Sequence, residues 1–293
     1  MSESDDVVKA TLAGTNSKAC DPTPEQLKFI LSKISESYED AVKRVNEIRR
    51  EAYEHFPYPC VRHFTFLKLA MAAHPAYPTV IAAGKGGNTL LLDLGCCMGT
   101  DVRKAAHDGY PEENLVGSDL HEEYLRLGYK LYDDESTCKI NFFAADIFDL
   151  DLEENTNAVD SPLESKAIAN LHDIMGRVTH VYAGLLFHLF EEDTQAQLAR
   201  RLAILLKKTP GSIIFGRHEG RDEPGFINAE KDRPRFGHSP ESWEKVWREV
   251  FTILEGEEFA RDRLRFWTKL YASKTPMPDF PNSKWLFWSI KII

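Results

Sequence analysis

The sequence predicts an α/β protein built on a doubly wound, mostly parallel sheet. Three observations predict it. From Gly84 onward, short apolar runs that read as strands alternate with segments of helical period. The stretch Leu90-Leu-Leu-Asp-Leu-Gly-Cys-Cys-Met-Gly-Thr-Asp101 reads as a buried strand, a turn with two glycines four residues apart, and a helix start. Two further strand-like runs end in carboxylates, Asp119 and Asp146, as β-strands do when their tips serve a ligand crevice.

Residues 1–22 are polar and read as a flexible tail. Thr23, Pro24 and Gln26 then give an N-cap, a first-turn proline and a capping box. Leu27, Ile30, Leu31, Ile34, Tyr38, Ala41, Val45 and Ile48 continue at helical spacing, predicting one amphipathic helix, bent midway, that ends before Phe56-Pro-Tyr-Pro59. Two short helical stretches broken by Pro75 and Pro78 complete a helical layer over 23–84, expected to act as a lid on a core over 85–293. In that core the expected strands are Thr89–Leu94, Leu115–Ser118, Asn141–Ala145, Thr179–Gly184 and Ser212–Gly216. Two more lie near Arg263–Leu270 and Trp285–Ile292; the Pro-rich turn Thr275–Asn282 between them is too short for a parallel crossover, so they form an antiparallel hairpin. Helices are expected around Asp101–His107, Glu122–Tyr132, Leu163–Leu171, Thr194–Lys207 and Pro240–Phe251, and loops at Leu150–Ser161 and Gly220–Ser239.

Composition narrows the function classes. With 43% hydrophobic and 28% charged residues, the 293-residue chain is that of an ordinary soluble protein with a sizeable core. A net charge of −10 repels nucleic acid, and the basic pairs Arg49-Arg50, Arg200-Arg201 and Lys207-Lys208 build no patch. Five cysteines without C-x-x-C spacing argue for a reducing compartment and against a zinc site. No apolar leader or span of about 20 residues is present, so a cytoplasmic protein is expected.

The acids at the strand tips set the cofactor chemistry. Asp119, in Val116-Gly-Ser-Asp119, is placed to accept both hydroxyl protons of a ribose. Asp146, in Phe143-Ala-Ala-Asp146-Ile-Phe148, is placed to accept from an adenine amino group, with Ile147 and Phe148 flanking the ring. Asp93 precedes the glycine turn and can meet a cationic amino group, or else cap the following helix. Three carboxylates around one crevice disfavour a pyrophosphate and favour a sulfonium-bearing nucleoside, S-adenosylmethionine, over NAD. The turn also lacks G-x-G-x-x-G.

With Gly-Ser-Asp-Leu, Ala-Ala-Asp-Ile-Phe and the later Leu-Phe-His-Leu-Phe, the glycine-turn motif resembles class I S-adenosylmethionine-dependent methyltransferases. More narrowly, Tyr58-Pro-Cys-Val-Arg62 and His74-Pro-Ala-Tyr-Pro78 resemble fungal secondary-metabolite methyltransferases of meroterpenoid and polyketide pathways. The resemblance covers roughly Phe56 to Trp247 and implies a Rossmann-like methyltransferase sheet. It implies that Gly95, Gly99 and the backbone of Cys96 and Cys97 line the methionine part, Asp119 and Leu120 the ribose, and Asp146 and Ile147 the adenine. Cys97 stands where the usual turn has its middle glycine, which puts the close-approach contacts there in question.

For the acceptor side, His188 in Leu185-Leu-Phe-His188-Leu-Phe190 follows the fourth strand, where it is either a base or a core histidine. Arg217 and His218, in Gly216-Arg217-His218-Glu219-Gly220, are expected on a loop after the fifth strand. There the guanidinium fork suits a carboxylate, or an ion pair with Glu219. Tyr58 and Arg62 belong to the layer expected to close over the site. The expected function is O-methylation of a hydrophobic small molecule, a terpenoid or aromatic polyketide acid, at a carboxylate rather than a phenol. Cyclisation or rearrangement without methyl transfer is the alternative, distinguished by an unchanged product mass. A non-catalytic binding protein, which would turn over no substrate, and an NAD-linked oxidoreductase, which would bind nicotinamide, are the others. No metal is expected, and the oligomeric state is open.

Overall fold

The computed structural model describes residues 23–152, 168–227, 234–273 and 283–293. The expected tail, most of the helix at 163–171, much of the loop at 150–161 and the turn at 275–282 fall outside them.

The chain enters through α1 (Pro24–Lys33), whose capping box forms as the sequence implies: Gln26 N donates to Thr23 Oγ1 and Thr23 N to Gln26 Oε1. The single bent helix expected next is two helices. Ser37 N donates to Ser35 Oγ, and Ser37 Oγ accepts from Asp40 N, so a fresh N-cap starts α2 (Tyr38–His55). Ala41, Val45, Ile48 and Ala52 form its buried stripe. After the four-residue α3 (Pro59–Arg62), α4 (Tyr77–Lys85) carries Pro78 inside its first turn, where a proline fits, so Pro78 does not break it.

The core alternates as expected: β1 (Leu91–Leu94), α5 (Thr100–His107), β2 (Leu115–Asp119), α6 (Glu122–Tyr132), β3 (Asn141–Ala144), β4 (His180–Gly184), α7 (Glu192–Leu205) and β5 (Ile213–Gly220). Then come the two-residue strands β6 (Gly225–Phe226) and β7 (Phe236–Gly237), α8 (Pro240–Glu255), α9 (Glu257–Asp262), β8 (Leu264–Ala272) and β9 (Lys284–Ile292). Seven strands form one sheet in the order β3-β2-β1-β4-β5-β9-β8. The first five pair in parallel, and β9 runs antiparallel to both β5 and β8. Chain progression reverses direction between β1 and β4, and the crevice at their carboxyl ends is where such sheets bind ligands.

Two further expectations are corrected. Residues 168–171 are not helical: Asn170 and Asp173 side chains bond nearby backbone N–H groups and direct the chain into a 3₁₀ turn, His172–Ile174. The fifth strand runs to Gly220 because β9 pairs with it along its whole length, from Ile213↔Lys291 to Gly220↔Lys284. Arg217, His218 and Glu219 are therefore strand residues, not loop residues.

Alternation along the strands divides the core. Leu92, Val116, Val181 and Ile214 pack with Leu198, Leu202, Trp243 and Trp247 of α7 and α8 on one face. Leu91, Leu115, Tyr182 and Phe215 pack with Val80, Ile81 and Val102 on the other. The α2 stripe packs against Tyr124, Leu127 and Leu131 of α6, which seats the N-terminal layer beside the cofactor turn. Burying each such side chain contributes about 1.5–3 kcal/mol. Among the described residues no helix is long and apolar enough to cross a membrane.

Candidate active site

The turn after β1 is drawn tight by β2. Gly95 and Cys96 both donate to Ser118 O, at 2.8 and 3.1 Å, and Gly99 donates to Cys96 O. Gly95, Cys97 and Gly99 all adopt positive φ, 76°, 53° and 69°. At Gly99 only glycine fits, since a Cβ would sit 2.6 Å from the Phe142 ring and 2.7 Å from Arg103 Nη1. Cys97 tolerates the left-handed backbone at a cost of about 1–2 kcal/mol. Two bonds compensate: its N–H donates to Asp119 Oδ2 at 2.7 Å, and its thiol hydrogen-bonds that of Cys60 on α3.

Asp119 ends β2 with its second oxygen accepting from His121 N at 3.1 Å. Both carboxylate oxygens are thus fixed by backbone N–H groups, with lone pairs left for a diol. Burial raises its pKa above the ordinary carboxylate range, and these two bonds oppose the shift. The neighbouring Leu120 is 57% exposed, an apolar side chain offered at the strand tip. Asp146 caps a 3₁₀ turn by accepting from Phe148 N, and Phe148 is half-buried beside it. Ile147 turns into the core. Asp93, in β1, is almost wholly buried. Burial first, then the charges of Asp101 and Asp119, push its carboxyl well above the usual range. A buried carboxyl group beside the glycine turn is the partner that a cationic ammonium needs, so the residues present fit an aminoacyl nucleoside.

The acceptor side is built differently. His188 lies in a 3₁₀ turn after β4, its Nδ1 buried without a partner. Desolvation, followed by the charges of Arg235 and Arg217, brings it down to about 3, so it is neutral. Arg217 lies half-buried on β5 with no ion pair among the described residues; Glu219 pairs instead with Arg235 at 3.2 Å. The Arg217 guanidinium sits 5.7 Å from the ring centres of both Trp285 and Phe287 on β9. The His188 ring meets Trp285 edge-on at 6.2 Å. The structure thus gathers His188 and Arg217 around one indole.

His218 is not brought to this place. Alternation along β5 turns it to the opposite face, where it is fully buried and accepts from Trp288 Nε1 at 2.9 Å, 4.6 Å from the Trp243 ring. The expectation that it binds substrate is corrected: it is a core histidine. Tyr58 and Arg62 are exposed on the N-terminal layer. The Tyr58 ring lies 5.8 Å from His121, beside the Asp119 tip rather than Arg217, and Phe56 stacks on the same imidazole at 3.7 Å.

Sequence reasoning missed three residues. Trp285 and Phe287 read only as strand positions, because their nearness to Arg217 exists only once β9 pairs with β5. Asp101, in the first turn of α5, accepts from Met71 N at 2.9 Å, and burial lifts it to about 7. Its place in Gly99-Thr-Asp101, directly after the turn, was the available signal.

Comparison with known proteins decides the family. Residues 17–67 match the meroterpenoid methyltransferase N-terminal domain family. The chain is 38% identical over 218 residues to O-methyltransferase phiE of Fungal sp., covering 72% of this chain and 66% of that one. It is 34% identical over 232 residues to Asnovolin E/Chermesin D methyltransferase nvfJ of Aspergillus novofumigatus, covering 78% and 77%. The chain belongs to the fungal secondary-metabolite methyltransferases. It is an enzyme of that class. A 1,6-didemethyltoxoflavin-N1-methyltransferase of Burkholderia thailandensis is similar to it at a TM-score of 0.49 and 14% identity, over 94% of this chain and 93% of that one.

Proposed function

We propose that this methyltransferase converts a carboxylate of a hydrophobic small-molecule natural product into its methyl ester. The observation that carries the proposal is Arg217, a half-buried guanidinium with no ion pair among the described residues, held beside a neutral His188. A guanidinium fork orients a carboxylate through two parallel bonds. His188 is a poor base for a phenol: a group near 3 facing one near 10 leaves the proton transfer uphill by roughly 9 kcal/mol. A carboxylate is ionised at neutral pH and needs no base.

When bound, S-adenosylmethionine supplies the methyl group on a sulfonium. The residues of this chain bind and align. Asp119 takes the ribose hydroxyls with Leu120 beside it, Asp146 takes the adenine amino group, and Asp93 faces the ammonium. The Gly95–Gly99 turn receives the methionine chain along its backbone. Positioning of this kind contributes about 7–11 kcal/mol to such displacements. The layer through residue 84 acts as the lid on a core over 85–293. The Cys60–Cys97 contact and the Phe56–His121 stack that join them support that role. The four described cysteines are free, which suits a reducing cytoplasm.

Incubation with methyl-labelled S-adenosylmethionine and a panel of terpenoid and aromatic acids tests the proposal. Labelled methyl esters are expected. Products of unchanged mass would replace methyl transfer with rearrangement.

A further inference from the structure

The antiparallel hairpin carries a second feature that bears on the acceptor. Register places Arg217, Phe287 and Lys269 in one row across β5, β9 and β8, and Glu219, Trp285 and Tyr271 in the next row toward the carboxyl edge. The alternate residues Leu286, Trp288, Ile290 and Leu264 point the other way, into the core. Trp285 and Phe287 are left half-buried and Tyr271 39% exposed, with the Tyr271 and Phe287 rings edge-to-face at 5.4 Å. Large aromatic side chains clustered on an accessible face are unusual away from a binding surface.

This face has one edge in common with the proposed site. Arg217 stands over both Trp285 and Phe287, and His188 touches Trp285. The far end is closed by His74, whose ring lies 5.8 Å from Phe287 and 5.7 Å from Trp267. The result is an aromatic strip flanked by the cations Arg217 and Lys269, the latter 5.0 Å from the Tyr271 ring centre, with a stop at the far end. An anion on a flat apolar body complements it; a free peptide or polar sugar does not.

We propose that Trp285, Phe287 and Tyr271 are the specificity-determining residues of this enzyme, holding the hydrocarbon body of the acceptor while Arg217 takes its anionic group. This rests on the ester-forming reading above for the identity of the occupant. It goes beyond that reading by moving acceptor choice onto the C-terminal hairpin, away from the cofactor turn.

The test uses 8-anilinonaphthalene-1-sulfonate, an aromatic body with one anion, followed by fluorescence on the full chain loaded with S-adenosylhomocysteine. Trp285→Leu and Tyr271→Ser are expected to weaken dye binding about tenfold each, the loss that about 1.4 kcal/mol of aromatic contact gives. Arg217→Gln should do the same, while Tyr53→Ser, on an exposed position of α2, should change nothing. Tyr271→Ser keeps the test open should Trp285→Leu fold poorly, and cofactor affinity confirms that each variant is intact. Wild-type affinity in both hairpin variants would overturn the proposal. Failure to methylate any acid, with dye binding still dependent on Trp285, would instead overturn the ester-forming reading and leave the strip standing.

Discussion

The two halves of the sheet are made by different means. Around β1, β2 and β3 the cofactor residues lie within or just beyond single strand ends, and Asp119 and Asp146 are oriented by backbone groups two positions on or in the neighbouring turn. Asp119 is held by the N–H groups of Cys97 and His121, and Asp146 by that of Phe148. Around β5, β9 and β8 the acceptor residues come from segments about 70 positions apart and meet only through strand pairing. The lesson is that cofactor chemistry is written locally and acceptor chemistry is written in topology. A change in one half should leave the other half's binding untouched.

The largest expected effect is on the cofactor side. Asp119→Ala removes two charge-assisted bonds to the ribose, each worth about 1.5–3 kcal/mol, so affinity for S-adenosylhomocysteine should fall at least a hundredfold. Calorimetric titration reads this directly, and dye binding at the hairpin should persist. Arg217→Gln is the converse. It should lower kcat/KM for an acid substrate by about a hundredfold through loss of one bidentate ion pair, with cofactor affinity within twofold of wild type. A parallel loss of cofactor affinity would break the division between the halves.

Gly99→Ala sharpens the comparison on the stability axis. The added methyl meets Phe142 and Arg103 at under 3 Å and the backbone is left-handed, so a loss of about 1–3 kcal/mol is expected in thermal melts. The smallest effect concerns pH. Asp101 is raised to about 7 in the folded chain, so its share of stability is full below the unfolded value near 4 and is lost as pH rises through 7. Asp101→Asn should therefore gain on wild type between pH 5 and 8, by on the order of 1 kcal/mol, in melts recorded across that range.

The same division explains what could be read in advance. The succession of strands and helices, the capping box at Thr23 and the acids at 93, 119 and 146 near strand ends were legible because short-range chemistry specifies them. The extent of β5 was not, since Arg217, His218 and Glu219 look like loop polarity until β9 is known to pair with them. His218 was misplaced for that reason: one extra strand position decides which face a side chain takes. The break between α1 and α2 turned on Ser35 and Ser37, whose hydroxyl bonds outweigh an otherwise continuous apolar stripe. Trp285 read as a strand residue, and its nearness to Arg217 follows only from the pairing of β9 with β5.

The most direct test of the central claim offers the enzyme one molecule with both options. A tricyclic acid bearing an aryl hydroxyl and an aliphatic carboxyl, incubated with methyl-labelled S-adenosylmethionine, is analysed for the position of the label. The methyl ester is expected, with its formation suppressed in Arg217→Gln. A methyl ether at the aryl oxygen, formed equally well by that variant, would contradict the ester-forming reading.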